Sequence, residues 1–351
     1  MKVIFLTHYS DQGHRFRVEQ YFPYLKAHQV EPKWQPLPGS RKERLIIYRK
    51  LPFFDVVCIQ RRLLSPLEYY WIRKKSPKIL FDLDDAVMYR SSSSPHPHSL
   101  SRWLKFRWMV KGSDVVTVGN QFLKNEVLKV DQEKKVSVIP TSIDTSLYPR
   151  KKKVTKSEEI ILGWIGTKGN LRYLKKLEPV FEILSQRSPQ VKLKIVSNDF
   201  YDSSHLPIIK KLWKLEDENE DLISFDIGLM PLNDDLWSRG KCGLKIIQYI
   251  GVGLPVVCTP VGINSDIIKN GENGFWASNQ EEWVDRLSTL IQNPDLRHQM
   301  GLKGIETVER EYSLTVTSEK FFQVLQSLLI NGLPSLGACP PNKSFGRQGR
   351  E

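Results

Sequence analysis

Between Asp226 and Ala277 one glycine stands among two lysines, Lys241-Cys242-Gly243-Leu244-Lys245, where a helical pattern of apolar residues begins (Leu244, Ile246, Ile247, Tyr249, Ile250). That combination suits an anion. The glycine lets a ligand approach the backbone, the first amides of a helix have no partner inside it, and the helix dipole favours negative charge there. Lys241 and Lys245 add two cations, so a diphosphate is the natural guest. The plainer reading is an ordinary strand-to-helix loop carrying two solvated lysines.

Three other clusters could do chemistry. Gly166, Thr167 and Lys168 follow the apolar run Ile160–Ile165 and form a second phosphate candidate. Gly13, His14, Arg15 and Arg17 lie in the loop after the first apolar run, at a strand's carboxyl end, where α/β sheets bind ligands; a turn with solvated basic residues is the alternative. Asp82, Asp84 and Asp85 close the run Lys78–Leu83. They could converge on a cation, recognise an acceptor or move its proton, or cap a helix and pair with nearby arginines. Since Lys241, Lys245 and a helix start already neutralise a diphosphate, no metal is expected.

The elements that must position these groups alternate. Apolar runs at 2–7, 55–60, 78–83, 114–118 and 136–139 read as strands, and the segments between several of them as helices. After a charged, exposed stretch at 150–159 the alternation resumes with strands at 160–165, 191–196, 227–232 and 254–259 and a further short strand at 208–214. Pro179 interrupts a helical pattern beginning at Leu171, so a break is expected there. Helices follow at 281–292, 295–311 and 315–330. The class is therefore α/β, with two parallel-sheet domains, 1–150 and 151–314. The end, 332–351, is rich in Gly, Pro and polar residues and reads as disordered.

The segment GLPVVCTPVGINSDIIKNGENGFWA resembles the donor-binding region of the family 4 (group 1) retaining glycosyltransferases. Gly253, Pro255, Val256 and Val257 match that family's Gly-x-Pro-Val-Val strand, and Gly243-Leu244 its glycine-containing turn. The family also carries two glutamates seven residues apart, one on the donor sugar and one on the ribose. Here those positions are Gly240 and Gln248. Gln248 can still hydrogen-bond a ribose; Gly240 cannot contact a sugar through a side chain, which leaves Lys241 as a substitute. An Arg that the family places on the donor phosphates is Trp164 here, and Lys168 stands for its Lys. A His that the family often has near the end of the strand 78–83 is missing. The run into PTSIDTSLYP resembles the family's interdomain link.

The resemblance implies a GT-B fold, two Rossmann-like parallel-sheet domains facing an interdomain cleft, with helix 315–330 packing back on the first domain. The second domain would hold a nucleotide-diphosphate sugar through Gly166, Thr167, Lys168, Lys241, Gly243, Leu244, Lys245 and Gln248. The first would hold the acceptor, with the loop of Gly13, Arg15 and Arg17 closing on the donor. Asp82, Asp84, Asp85 and His14 are the catalytic candidates. The implied reaction is sugar transfer with retention, without cofactor or metal, to a glycan or lipid-linked acceptor in cell-envelope polysaccharide synthesis. The rivals are a non-catalytic sugar-nucleotide-binding partner protein, a sugar-nucleotide epimerase or a phosphorylase.

Composition narrows the partners. The 351 residues carry a net charge of +13, which calls for anions. No zinc spacing, RNA-binding signature or helix-turn-helix pattern is present, so nucleic acid ranks low. The helix Arg102–Lys111 interleaves Trp103, Phe106 and Trp108 with Lys105 and Arg107, as a helix on an anionic membrane surface would, or as a core helix with snorkelling cations would. No apolar run is long enough to span a bilayer. The opening residues read as a strand rather than a signal peptide, and four scattered cysteines fit a reducing compartment. A cytoplasmic protein, peripheral at the inner face of the plasma membrane, is expected.

Overall fold

A computed structural model describes residues 1–8, 13–152 and 159–330; the tail expected to be disordered, 332–351, and the middle of the charged stretch lie outside them. The first sheet holds β1 (Lys2–His8), β2 (Glu31–Leu37), β3 (Val56–Gln60), β4 (Lys78–Leu83), β5 (Val115–Val118) and β6 (Val136–Val138), in the order β2-β1-β3-β4-β5-β6. The second holds β7 (Ile160–Ile165), β8 (Val191–Ser197), β9 (Ile208–Leu212), β10 (Ile227–Met230), β11 (Val256–Cys258) and β12 (Gly274–Trp276), in the order β12-β11-β10-β7-β8-β9. Every strand pair is parallel. The class read from the sequence is the class observed.

Two strands were not legible. Pro32 and Pro36 disrupt the pattern of β2, yet β2 is an edge strand, where a missing N–H need leave no ladder bond unmade. β12 is three residues long, too short to show a period. Pro179 does mark a break: it stands in the first turn of the helix Glu178–Arg187, behind two shorter helical turns.

Each sheet is covered on both faces, as a parallel sheet requires. On one face of the first, Ile4, Leu6, Val57 and Phe81 pack against Tyr48, Tyr69, Ile72, Phe106 and Met109 of three helices. On the other, Val3, Phe5 and Val56 meet Leu25 and, from the last helix Leu314–Ile330, Phe321, Leu325 and Leu328. Tyr21 and Phe321 stack 4.9 Å apart, fixing that helix on the first sheet.

The loops at the carboxyl ends of the two sheets meet. Asn120, after β5, donates to the Lys241 carbonyl (2.9 Å). Ser92, after β4, bonds Tyr173 across the interface (2.7 Å). A Cβ at Gly240 would strike Ala86, and one at Gly119 would strike Cys242, so both glycines allow the close approach of the two halves.

Candidate active site

In the second sheet the strand order reverses between β7 and β10, and ligands of such sheets bind outside that switch point. The turns after both strands converge there. Gly243 sits at φ +69°, a left-handed conformation, with Ile267 filling the space a side chain would need. It starts the helix Leu244–Gly251, whose Tyr249 hydroxyl accepts from the Ile165 amide (2.9 Å) and pins the helix to the end of β7. Lys245 then reaches back: its Nζ lies 4.6 Å from the centre of the Trp164 ring. A Cβ on Gly166 would come within 2.6 Å of the same atom. Burial, and then Lys241, push the Lys245 ammonium down to about 7. An anion bound here would restore its charge.

Lys168 behaves differently. Its side chain is 75% exposed and pairs with Asp199 (2.9 Å), while its amide is held by Asn198 (2.9 Å). Gly166 and Thr167 form the turn before it. Leu244 is only partly buried at the helix start, and Lys241 is tied to the first domain through its carbonyl.

Gln248 is buried one turn along the same helix, and its Nε2 donates to Tyr148 Oη (3.1 Å) and Glu218 Oε1 (3.1 Å). Glu218 also accepts from Trp213 Nε1 (3.1 Å) and from Arg15 Nη2 of the first domain (3.1 Å). Arg15, Tyr148, Glu218 and Asn219 line an open cavity of about 740 Å³ between the sheets. Glu218 is a site candidate that the sequence hid. It belongs to an acidic stretch, Glu216–Asp221, that reads as a solvated face, and only the tertiary fold turns it inward beside Gln248.

Across the cleft, the acidic cluster divides. Asp82 is buried against Arg17, which holds both carboxylate oxygens, and also accepts from Thr117 (2.7 Å). Arg17 further donates to the Ile139 carbonyl (2.6 Å). Burial is the largest single influence and opposes the Arg17 charge, but Asp82 and the other groups around it together outweigh burial, and the guanidinium stays protonated. Two expectations are corrected by this: Arg17 is not a cleft-loop residue and Asp82 is not an available base, because the buried pair satisfies both. Asp85 pairs with Arg61 (2.7 Å). Asp84 accepts from Gln60 Nε2 (3.1 Å) and lies 3.7 Å from Arg61; burial dominates over Arg61 and pushes it up to about 7. Its Cα stands 3.7 Å from the position of a Gly119 Cβ, the same position that Cys242 crowds from the other domain. His14 stacks on Trp34 (4.2 Å) and pairs with Glu19 (3.3 Å), and Gly13 begins its helical turn. Among the described residues no cluster of three His, Cys, Asp or Glu side chains is arranged to hold a metal ion.

The expected membrane patch divides between core and surface. Phe106 is fully buried in the first core, and Trp103 packs on it with ring centres 5.7 Å apart. Trp108 and Arg107 remain exposed and Lys105 partly so. Residues 103 and 106 are one turn apart on the helix face that meets the sheet, which the dense aromatic-basic pattern concealed.

Residues 227–307 match the family described as glycosyl transferases group 1, and that segment carries Gly243, Lys245 and Gln248. A trehalose synthase of Pyrococcus horikoshii is 30% identical over 90 residues, which are 26% of this chain and 22% of that enzyme. The N-acetyl-alpha-D-glucosaminyl L-malate synthase of Bacillus anthracis is 20% identical over 332 residues, 87% of this chain and 84% of that one. Among solved structures, the sucrose-phosphate synthase of Thermosynechococcus elongatus superposes with a TM-score of 0.70 at 12% identity, covering 94% of this chain and 100% of its own. Anabaena HepE, solved with UDP-glucose, gives 0.69 at 13% identity over 93% of this chain and all of its own. The fold is GT-B.

Proposed function

We propose that this chain, which carries a group 1 glycosyltransferase domain on a GT-B fold, moves a sugar from a nucleotide-diphosphate sugar to a glycan or lipid-linked acceptor, with retention and without a metal, in cell-envelope polysaccharide assembly. The observation that carries the donor half is the convergence of Lys245, Gly166 and the free amides after Gly243 at the switch point of the second sheet. Neighbours solved with UDP and UDP-glucose support a nucleotide-sugar donor.

In this reading the diphosphate sits on the helix start. Lys245, with Lys241 and the amides, takes the charge that develops as the sugar–phosphate bond breaks. Gln248 and Glu218 accept the ribose hydroxyls one turn further along. Arg15 leaves Glu218 for the phosphates as the donor enters. Asp84, poised near neutrality across the cleft, exchanges the proton of the acceptor hydroxyl. Retention follows the family resemblance and the acceptor follows the charge of the chain; neither depends on the donor contacts.

A thermal-shift screen against UDP, GDP, ADP and TDP and their sugars, with and without magnesium, tests it. A rise in Tm with one nucleotide, unchanged by magnesium and lost in Lys245→Ala, supports the donor site. No rise with any nucleotide overturns it. Gly240, packed on Ala86 where the resemblance calls for a glutamate, favours one rival, a non-catalytic binder. Nucleotide binding without donor hydrolysis or transfer to any acceptor would select that rival.

A further inference from the structure

Three neighbouring helices of the first domain, Arg41–Arg49, Pro66–Lys75 and Leu100–Gly112, lie side by side. Arg44 of the first reaches Glu68 of the second (2.9 Å), and Tyr69 of the second bonds the Met109 carbonyl of the third (3.4 Å). Their inner faces cover the sheet. Their outer faces depart from an ordinary solvated surface in two ways.

The first is apolar exposure. Of the fifteen large hydrophobic side chains exposed among the described residues, nine fall on these helices and the short turns beside them, including Leu45, Ile46, Tyr70, Trp71, Leu104 and Trp108. Scattered singly they would mean nothing; gathered on one face they mark a contact surface. The second is charge. The three helices hold eleven Lys and Arg against only Glu43 and Glu68, so most of the chain's net +13 is concentrated here. The two features are interleaved. A groove of about 530 Å³ runs between the second and third helices, with Tyr70, Leu104 and Trp108 as apolar walls and Arg107 and Lys111 beside them.

We propose that this three-helix face docks the protein onto the surface of an anionic membrane. The chemistry favours a lipid surface over other anions. Exposed Trp and Tyr prefer the headgroup level, where an amphipathic ring meets both phases. Leu and Ile enter the acyl boundary, and the lysines and arginines meet anionic headgroups. The groove admits a stretch of acyl chain below while Arg107 and Lys111 hold its phosphate above. No helix of the described residues is long and apolar enough to cross a membrane, and the contact proposed for this face is peripheral. The surface is on the first domain and uses none of the donor contacts, so it stands or falls independently of the proposed reaction.

The test is co-sedimentation of the full chain with phosphatidylcholine vesicles containing or lacking about 30 mol% phosphatidylserine. Binding is expected to the anionic vesicles only and to weaken as salt is raised. The double variant Trp71→Ala/Trp108→Ala and the charge variant Lys74→Glu/Arg107→Glu each should bind about tenfold or more weakly. All four side chains are exposed or at the rim, so unchanged melting temperature and unchanged nucleotide binding show that the fold and the donor site are intact. Absence of vesicle binding by the parent protein, or equal binding by both variants, overturns the proposal. So does tight binding of a mixed-sequence single-stranded oligonucleotide in preference to vesicles, or a dimer that both variants dissociate, since each would give the face to another occupant.

Discussion

Arg15 of the first domain donates to Glu218 of the second across 3.1 Å of the cleft, and the same Glu218 oxygen takes the Gln248 amide. One carboxylate thus joins the closing loop to the helix that opens with the anion site. The pair is accessible from the cavity on the Arg15 side, 29% exposed against 9% for Glu218, so a ligand can displace the arginine while the carboxylate stays in place.

Replacing Glu218 by Gln keeps the shape and removes the charge. Donor-nucleotide affinity should drop about three- to tenfold, the loss of one charge-assisted hydrogen bond. Calorimetry with the nucleotide and its 2′-deoxy analogue checks the assignment. The parent should prefer the ribose form, and the variant should lose most of that preference. An unchanged preference would remove Glu218 from the ribose.

Lys245 links binding to pH. In the free protein its ammonium is pushed down to about 7, and a bound diphosphate raises it. Its contribution to affinity is therefore complete below pH 7 and declines as pH rises above 7 toward the bound value, with proton uptake on binding near neutrality. Affinity measured in two buffers of different ionisation enthalpy between pH 6 and pH 9 would show it. Folding runs the other way. Between about 7 and the ordinary lysine value the unfolded chain holds the proton that the folded chain lacks, so stability rises with pH across that window. Lys245→Met should raise Tm at neutral pH and abolish the nucleotide response together.

Asp84 is pushed up to about 7 by burial, so between the ordinary aspartate range and 7 the folded state holds a proton that the unfolded state releases. Its burial thus lowers stability progressively as pH rises through that window, and Asp84→Asn should melt higher than the parent at pH 8. If Asp84 carries the acceptor proton, the same variant should turn over about a hundredfold or more slowly while binding donor normally. Turnover like the parent's would return the proton to a phosphate oxygen.

Arg17 and Asp82 form a fully enclosed pair. Arg17→Ala leaves Asp82 uncompensated and should lower stability by about 3–5 kcal/mol, measured by denaturant unfolding. Nucleotide affinity per folded molecule should hardly change. A selective loss of affinity with stability retained would put Arg17 back in the substrate cleft.

What the sequence determined by itself is local. Apolar runs of the right length made ten of the twelve strands legible. A glycine before an apolar helix flanked by lysines identified the turn at Gly243, because positive φ and a bare helix start are properties of a few consecutive residues. What only the tertiary structure decided is which side chains share a site. Asp82, Asp84 and Asp85 are almost adjacent in sequence, yet the alternating directions of a strand end and the placement of Arg17 and Arg61 give them three environments. Glu218 lies 30 residues from Gln248 and about 200 from Arg15, and no local pattern distinguishes it from its acidic neighbours. Burial and long-range pairing are set by packing across the whole chain, so the site's electrostatics, and the face that the three helices turn outward, appear only when the fold is complete.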